Sequence, residues 1–131
     1  MAGALSDRNM EEYDLEFEKE ICEWMKSITG IPVVKGVKYP LKADRLHEAL
    51  KNGEYLCKLL NTLNPNSVTR VLETRTKFKM EENLSSFLEG CRKYGVADQD
   101  LFTIEDLFEK QKMMRVLITV KALRNIAQAN Q

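Results

Sequence analysis

The single histidine, His47, is the first residue to consider for catalysis, because imidazole is the usual general base near neutral pH. No nucleophile or second acid–base group accompanies it in the sequence, so a packed or solvent-facing histidine explains it better than a base without partners. The neighbouring acids Glu81-Glu82 and Glu105-Asp106 fit helix starts, where the helix dipole favours carboxylates. These residues therefore do not predict an acid–base site.

Metal and nucleophile chemistry find no better support. Cys22, Cys57 and Cys91 lack metal-ligand spacing and lie in apolar helical patterns, which favours reduced core residues of a cytosolic protein. The segment Asp98-Gln99-Asp100 lacks the glycine and terminal glutamate of a calcium loop. No nucleophile elbow, glycine-rich phosphate loop or HExxH motif occurs. We expect no enzyme activity, no cofactor and no metal.

Charge is balanced overall and uneven along the chain. The 131 residues carry 20 basic and 20 acidic side chains, so there is no global attraction to nucleic acid or anionic membrane. The blocks 1–25, 26–80, 81–109 and 110–131 carry net charges of −6, +7, −6 and +5. They either form faces of opposite sign or are solvated surfaces that happen to alternate. No transmembrane run or secretory signal is recognisable, which predicts a cytoplasmic protein.

Apolar residues recur with helical period in four segments, which predicts an all-α fold with four main helices and two or three short ones. Gly53 opens the central helix and Gly95 ends the next one, and Thr103 to Asp106 fits a capping box. The basic stretch 66–79 has no period and is expected to be a loop, with the helical pattern resuming at Glu81. The last helix is predicted from about Lys112 to Ala127. Its apolar stripe consists of Met113, Val116, Leu117, Val120, Leu123 and Ala127.

Several motifs in order carry a family resemblance. They include Lys77-Phe78-Lys79, Glu82-Asn83, Phe87-Leu88 and Tyr94-Gly95-Val96, followed by a segment from Asp100 to Glu109. Together with 52–65 they resemble the calponin homology domain, over residues 15–128. The resemblance implies the calponin homology fold. Its signature residues here are Trp24, Gly53, Leu56, Leu59, Leu60, Asn83, Phe87, Gly95 and Asp106. Residues 1–14 are expected to be a loose acidic segment, and 129–131 the start of a linker or tail.

The resemblance implies a cytoskeletal module that binds actin filaments, weakly by itself and as part of a larger protein. In the family the contact is ascribed to the first helix and to the last long helix with the segment before it. Actin filaments are acidic, which suits the basic final helix but not the acidic first one. The candidate contact residues are Lys26, Lys110, Lys112, Arg115, Lys121 and Arg124.

Two other readings of the resemblance remain open. The domain could be a regulatory or autoinhibitory module of a Rho-family signalling protein of the exchange-factor type, docking on neighbouring domains or on signalling partners. The acidic first helix and the basic last helix would suit such docking. Microtubule binding is the third reading, because tubulin is also acidic and charge alone does not separate it from actin.

Overall fold

The computed structural model describes residues 12–73 and 76–130. This part of the chain holds four long and two short α-helices and one 3-10 turn, which confirms the predicted all-α class and its number of main helices. The helices are α1 Leu15–Thr29, α2 Ala43–Leu50, α3 Glu54–Leu63, α4 Lys77–Tyr94, α5 Ile104–Phe108 and α6 Met113–Ala129, with the 3-10 turn Asp98–Asp100 between α4 and α5.

Side-chain caps set several helix starts. The Asp14 side chain accepts a hydrogen bond from the amide of Phe17, and Thr76 does the same for the amide of Lys79. At α5, Thr103 and Asp106 form the capping box that the sequence predicts, each side chain bonding the other's backbone amide. Such caps satisfy amides that the first helical turn leaves without partners.

The core is built around α3, the shortest of the four long helices. It packs against α1 and α4, and α6 packs against α1 and α4. Leu56, Cys57, Leu59 and Leu60 of α3 are fully buried. They meet Ile21 and Met25 of α1, Leu84 and Phe87 of α4, and Val116, Leu117, Val120 and Leu123 of α6 in one apolar cluster. Trp24 is half-buried and packs against this cluster, as expected for a core tryptophan.

The two sequence segments that carry the family resemblance meet at Gly53 and Asn83. Gly53 has φ +79°, and a Cβ placed there would lie 2.6 Å from the Cβ of Asn83. Only glycine therefore allows α4 to approach the start of α3 this closely. The buried Asn83 side chain binds both the amide and the carbonyl of Leu72, at 2.9 and 2.8 Å, and donates to the carbonyl of Asn52 at 3.0 Å. We call this arrangement the Asn83 junction.

The start of α4 corrects one expectation. The helix begins at Lys77, four residues before the predicted start at Glu81, so Lys77 and Lys79 are helical rather than part of a basic loop. The error has a physical cause. Phe78, the only large apolar side chain in 76–79, is 73% exposed, so the first turn adds nothing to an inward-facing stripe. Arg75 and residues 1–11 of the proposed loose segment 1–14 lie outside the described residues.

Candidate functional site

His47 has a structural partner and not a catalytic one. Its Nε2 lies 2.9 Å from the carbonyl oxygen of Phe108, which connects α2 to the end of α5. A ring nitrogen bound to a backbone carbonyl at this distance is the donor of the hydrogen bond. In 12–73 and 76–130, no three histidine, cysteine or acidic side chains come together as a possible metal site.

The three cysteines are buried and free, as expected for core residues. Burial, with smaller contributions from nearby carboxylates, raises the pKa of the Cys22 and Cys57 thiols to about 12. Burial also raises the pKa of Cys91. At neutral pH these side chains are neutral thiols that act as small apolar groups.

The candidate basic residues before and at the start of α6 differ in what they contact. Lys110 donates to Asp44 Oδ1 at 2.5 Å, and this hydrogen bond, then the charge of the ammonium group, lowers the pKa of Asp44. Lys112 is exposed at the position preceding α6. The Arg115 guanidinium donates to the backbone carbonyls of Gln99 and Leu101, and so fastens α6 to the 3-10 turn. Arg115 therefore has a structural role here.

The candidates farther along α6 face α1. Arg124 pairs with Glu20 at 2.6 Å, and only 15% of its side chain is exposed. The Lys121 ammonium lies 5.8 Å from the centre of the Phe17 ring, a cation–π contact. Lys26 lies on the exposed side of the last turn of α1.

The candidate side chains on and before α6 are therefore directed to different neighbours and different sides of the helix. With 100° per helical residue, Lys112 and Lys121 lie about 180° apart around α6. Arg115 is directed to the 3-10 turn and Arg124 to α1, so neither guanidinium is presented to a partner in the way that an exposed lysine is. The helical periodicity of the sequence correctly predicts that these residues lie outside the apolar stripe of α6. It does not predict which neighbouring element each side chain contacts.

Two acids of α1, Glu18 and Glu20, make contacts within the domain. Their negative charges therefore repel an acidic partner less than exposed, unpaired carboxylates would. Glu18 is fully buried, where it accepts hydrogen bonds from the Tyr13 hydroxyl at 2.5 Å and from the Leu41 amide. Burial, followed by the bond to Glu18, raises the pKa of Tyr13. A sequence signal for Glu18 existed, because 18, 21, 22 and 25 follow the i, i+3, i+4, i+7 pattern of a buried stripe.

The start of α4 lies next to the junction between α5 and α6. The Lys77 ammonium is 3.7 Å from Glu109 and 5.4 Å from the centre of the Phe108 ring. This contact places the exposed first turn of α4 beside the segment that leads to Lys110 and Lys112. We call the resulting surface the basic surface, formed by Lys77, Phe78, Lys79, Lys110 and Lys112.

The arrangement of helices agrees with a comparison with known protein families. The sequence model of the Calponin homology (CH) domain matches residues 15–129. The chain belongs to the calponin homology family. In this CH domain the signature residues Gly53 and Asn83 form the Asn83 junction, so they specify the fold and leave contacts with partners to other residues.

Three proteins illustrate what this CH domain is similar to. Myophilin of Echinococcus granulosus is 36% identical over 118 residues, and Muscle-specific protein 20 of Drosophila melanogaster is 37% identical over 108 residues. Calponin-2 of Mus musculus is 30% identical over 123 residues. The alignments cover 89%, 82% and 94% of this chain and 58%, 55% and 37% of these relatives, in the same order. The chain thus spans about half the length, or less, of the relatives it matches.

None of these three names is that of an enzyme. Within the residues that the structure describes, no helix is both long enough and apolar enough to cross a membrane.

Proposed function

We propose that this CH domain is a cytoplasmic module that binds actin filaments, weakly when it acts alone. The observation that carries the proposal is the basic surface, where Lys110 and Lys112 lie exposed in the segment before α6. This is one of the two regions that family membership points to. The similarity to Calponin-2 and to Muscle-specific protein 20 supports a role in the cytoskeleton.

The electrostatic argument is direct. Actin filaments are acidic, so a cluster of exposed lysines raises the rate of encounter and orients the domain. Lys110 forms an ion pair with Asp44, and this pair fixes the position of the Lys110 ammonium group. Exposed charge pairs contribute little affinity each, and we therefore expect a dissociation constant of tens of micromolar, about −6 kcal/mol. Lys121 lies on the opposite side of α6 from Lys112 and against Phe17, so it lies apart from this contact surface, while Arg115 and Arg124 hold α6 in place.

The regulatory alternative has less support from the geometry. It relied on an acidic first helix and a basic last helix that would dock on other domains. In the structure these two helices pack against each other, and Glu20 and Arg124 form an ion pair between them. Microtubule binding remains an alternative, because it too requires a basic surface for an acidic filament. Competition between actin filaments and microtubules for the domain distinguishes the two functions.

Cosedimentation with actin filaments tests the proposal. The variant Lys110→Glu/Lys112→Glu changes the charge of the basic surface, and Lys58→Glu/Lys93→Glu makes the same change at two exposed lysines on α3 and α4. We expect the first variant to lose at least about tenfold in affinity and the second to pellet like the wild type. Arg115 is left intact because its substitution would disturb the 3-10 turn.

Two results would overturn the proposal. One is absence of wild-type pelleting at tens of micromolar. The other is equal pelleting of the wild type and Lys110→Glu/Lys112→Glu, because the filament contact would then not use these lysines. Preferential pelleting with microtubules over actin filaments would favour the third reading instead.

A further inference from the structure

Phe78 is the most exposed large apolar side chain in the described part of the chain, at 73%. The other exposed large apolar side chains (Leu15, Ile31 and Val71) reach only 38–43%. An isolated exposed apolar residue is ordinary on a protein surface. Phe78 differs because it is aromatic, and aromatic side chains are enriched at the centres of protein interfaces, where the flanking Lys77 and Lys79 would belong to the polar rim.

The turn that carries Phe78 runs against the local preferences of a helix start. Of the helix starts in the described residues, α1, α2, α3 and α5 have acids in the first turn, whereas α4 and α6 have none, and α4 begins with Lys77 and Lys79. Positive side chains at the positive end of the helix dipole are unfavourable. Lys79 has no ion-pair partner among the described residues that would compensate for this. Sequence choices that oppose local stability concentrate at functional sites.

A groove of matching character lies elsewhere on the domain, between α1, the 3-10 turn and α6. It has a volume of about 430 Å³, an apolar floor that includes Phe17, Met114 and Ile118, and acids at its edge in Asp14 and Asp100. A neighbouring cavity of about 440 Å³ shares Asp14 and Phe17 and adds Glu16, Glu20 and Glu23. We call these two together the Phe17 groove.

The Phe17 groove and the first turn of α4 are complementary. The acids of the groove outnumber its two lysines, Lys19 and Lys121, and one of those acids, Glu20, is already paired with Arg124. We propose that two copies of this domain associate, with Phe78 of one copy seated in the Phe17 groove of the other and Lys77 and Lys79 facing its acids. The apolar floor removes the phenyl ring from water, and the opposite charges set its orientation.

The association joins two different surfaces and is therefore heterologous. When a single contact forms, one copy keeps an empty Phe17 groove and the other keeps an unused Phe78, and both are used only if a second contact forms reciprocally. The proposal does not depend on filament binding, but it uses part of the same basic surface. A copy whose first turn of α4 is covered by another copy would present fewer lysines to an acidic filament.

Sedimentation velocity of the whole chain, from about 10 µM to about 1 mM, tests the association, because a small interface implies weak affinity. We expect the sedimentation coefficient of the wild type to rise with concentration, and to rise less as salt screens the charges. Phe78→Ala should weaken association at least about tenfold. Ile31→Ala, which removes an exposed apolar side chain outside both surfaces, should associate like the wild type.

A mixing experiment assigns the two halves of the contact. Phe78→Ala keeps the groove, and Glu16→Lys/Glu23→Lys keeps Phe78 but reverses two exposed acids beside the groove. We expect each variant alone to remain monomeric and an equimolar mixture to form a heterodimer. A monomeric wild type up to about 1 mM, or a mixture that stays monomeric, overturns the proposal. Loss of actin pelleting by Phe78→Ala in a protein that never self-associates assigns Phe78 to the filament and equally overturns it.

Discussion

In the first turn of α4, Lys77, Phe78 and Lys79 face solvent, whereas in the next turn Asn83 is buried and makes three hydrogen bonds. The first turn lacks the acids that favour a helix start, and the second fastens α4 to a loop and to the turn before α3. One helix thus carries both a region that stabilises the fold and a region that gives up stability. A partner is expected to bind at the first turn of α4, which gives up stability.

The largest effect is expected at Gly53. In Gly53→Ala a new Cβ collides with Asn83 and the residue keeps an unfavourable positive φ, so we expect a loss of about 3 kcal/mol in the free energy of unfolding by urea denaturation. Gly36→Ala is the matched control, with φ +76° and no atom within 4 Å of the added Cβ. It should lose only about 1 kcal/mol. Equal losses of unfolding free energy in the two variants would show that the close contact with Asn83 does not account for the cost of Gly53→Ala.

Asn83→Ala should have the next largest effect, about 2 kcal/mol, because the backbone groups of Leu72 and Asn52 lose their partner. Asn61 provides the comparison, since its side chain bonds the amide and carbonyl of Val68 in a similar way but is only half-buried. We expect about 1 kcal/mol for Asn61→Ala in the same denaturation experiment. A smaller loss for Asn83→Ala than for Asn61→Ala contradicts the central position given to the Asn83 junction.

A gain in stability is expected at the start of α4. Thr76→Asp keeps a capping oxygen and adds a negative charge where the first turn has none, which should raise the free energy of unfolding by about 0.3–1 kcal/mol. At α5, where Glu105 and Asp106 already occupy the first turn, Thr103→Asp should gain less. Thermal unfolding measures both changes. A loss at Thr76→Asp would show that the first turn of α4 is not short of negative charge.

The smallest effect on stability is expected at Phe78. Because the ring is mostly exposed, Phe78→Ala should change the free energy of unfolding by less than about 0.5 kcal/mol. Phe87, nine residues later in the same helix, is fully buried, and Phe87→Ala should cost about 3–5 kcal/mol. If Phe78→Ala is as destabilising as a core substitution, its ring packs in the fold and cannot be an anchor for a partner.

The sequence was sufficient for the number of main helices, the capping box of α5 and the buried apolar stripes, because those depend on local spacing. The start of α4 was missed because its first turn contributes no inward apolar side chain. The directions of Arg115 and Arg124 were missed for a different reason: periodicity gives the side of a helix but not the neighbour across from it. The Asn83 junction joins residues that are 30 positions apart in sequence, Gly53 and Asn83, and their contact depends on the assembled fold.

The three buried thiols have a practical consequence. Only a thiolate reacts with maleimides or iodoacetamide, and a thiol with a pKa near 12 has about a thousandfold less thiolate at neutral pH than an exposed cysteine. A single cysteine introduced on the surface, for example in place of the exposed Lys58 or Lys93, would therefore take up a fluorophore selectively without removal of Cys22, Cys57 or Cys91. The native core would stay intact while energy transfer between labelled copies reports their separation.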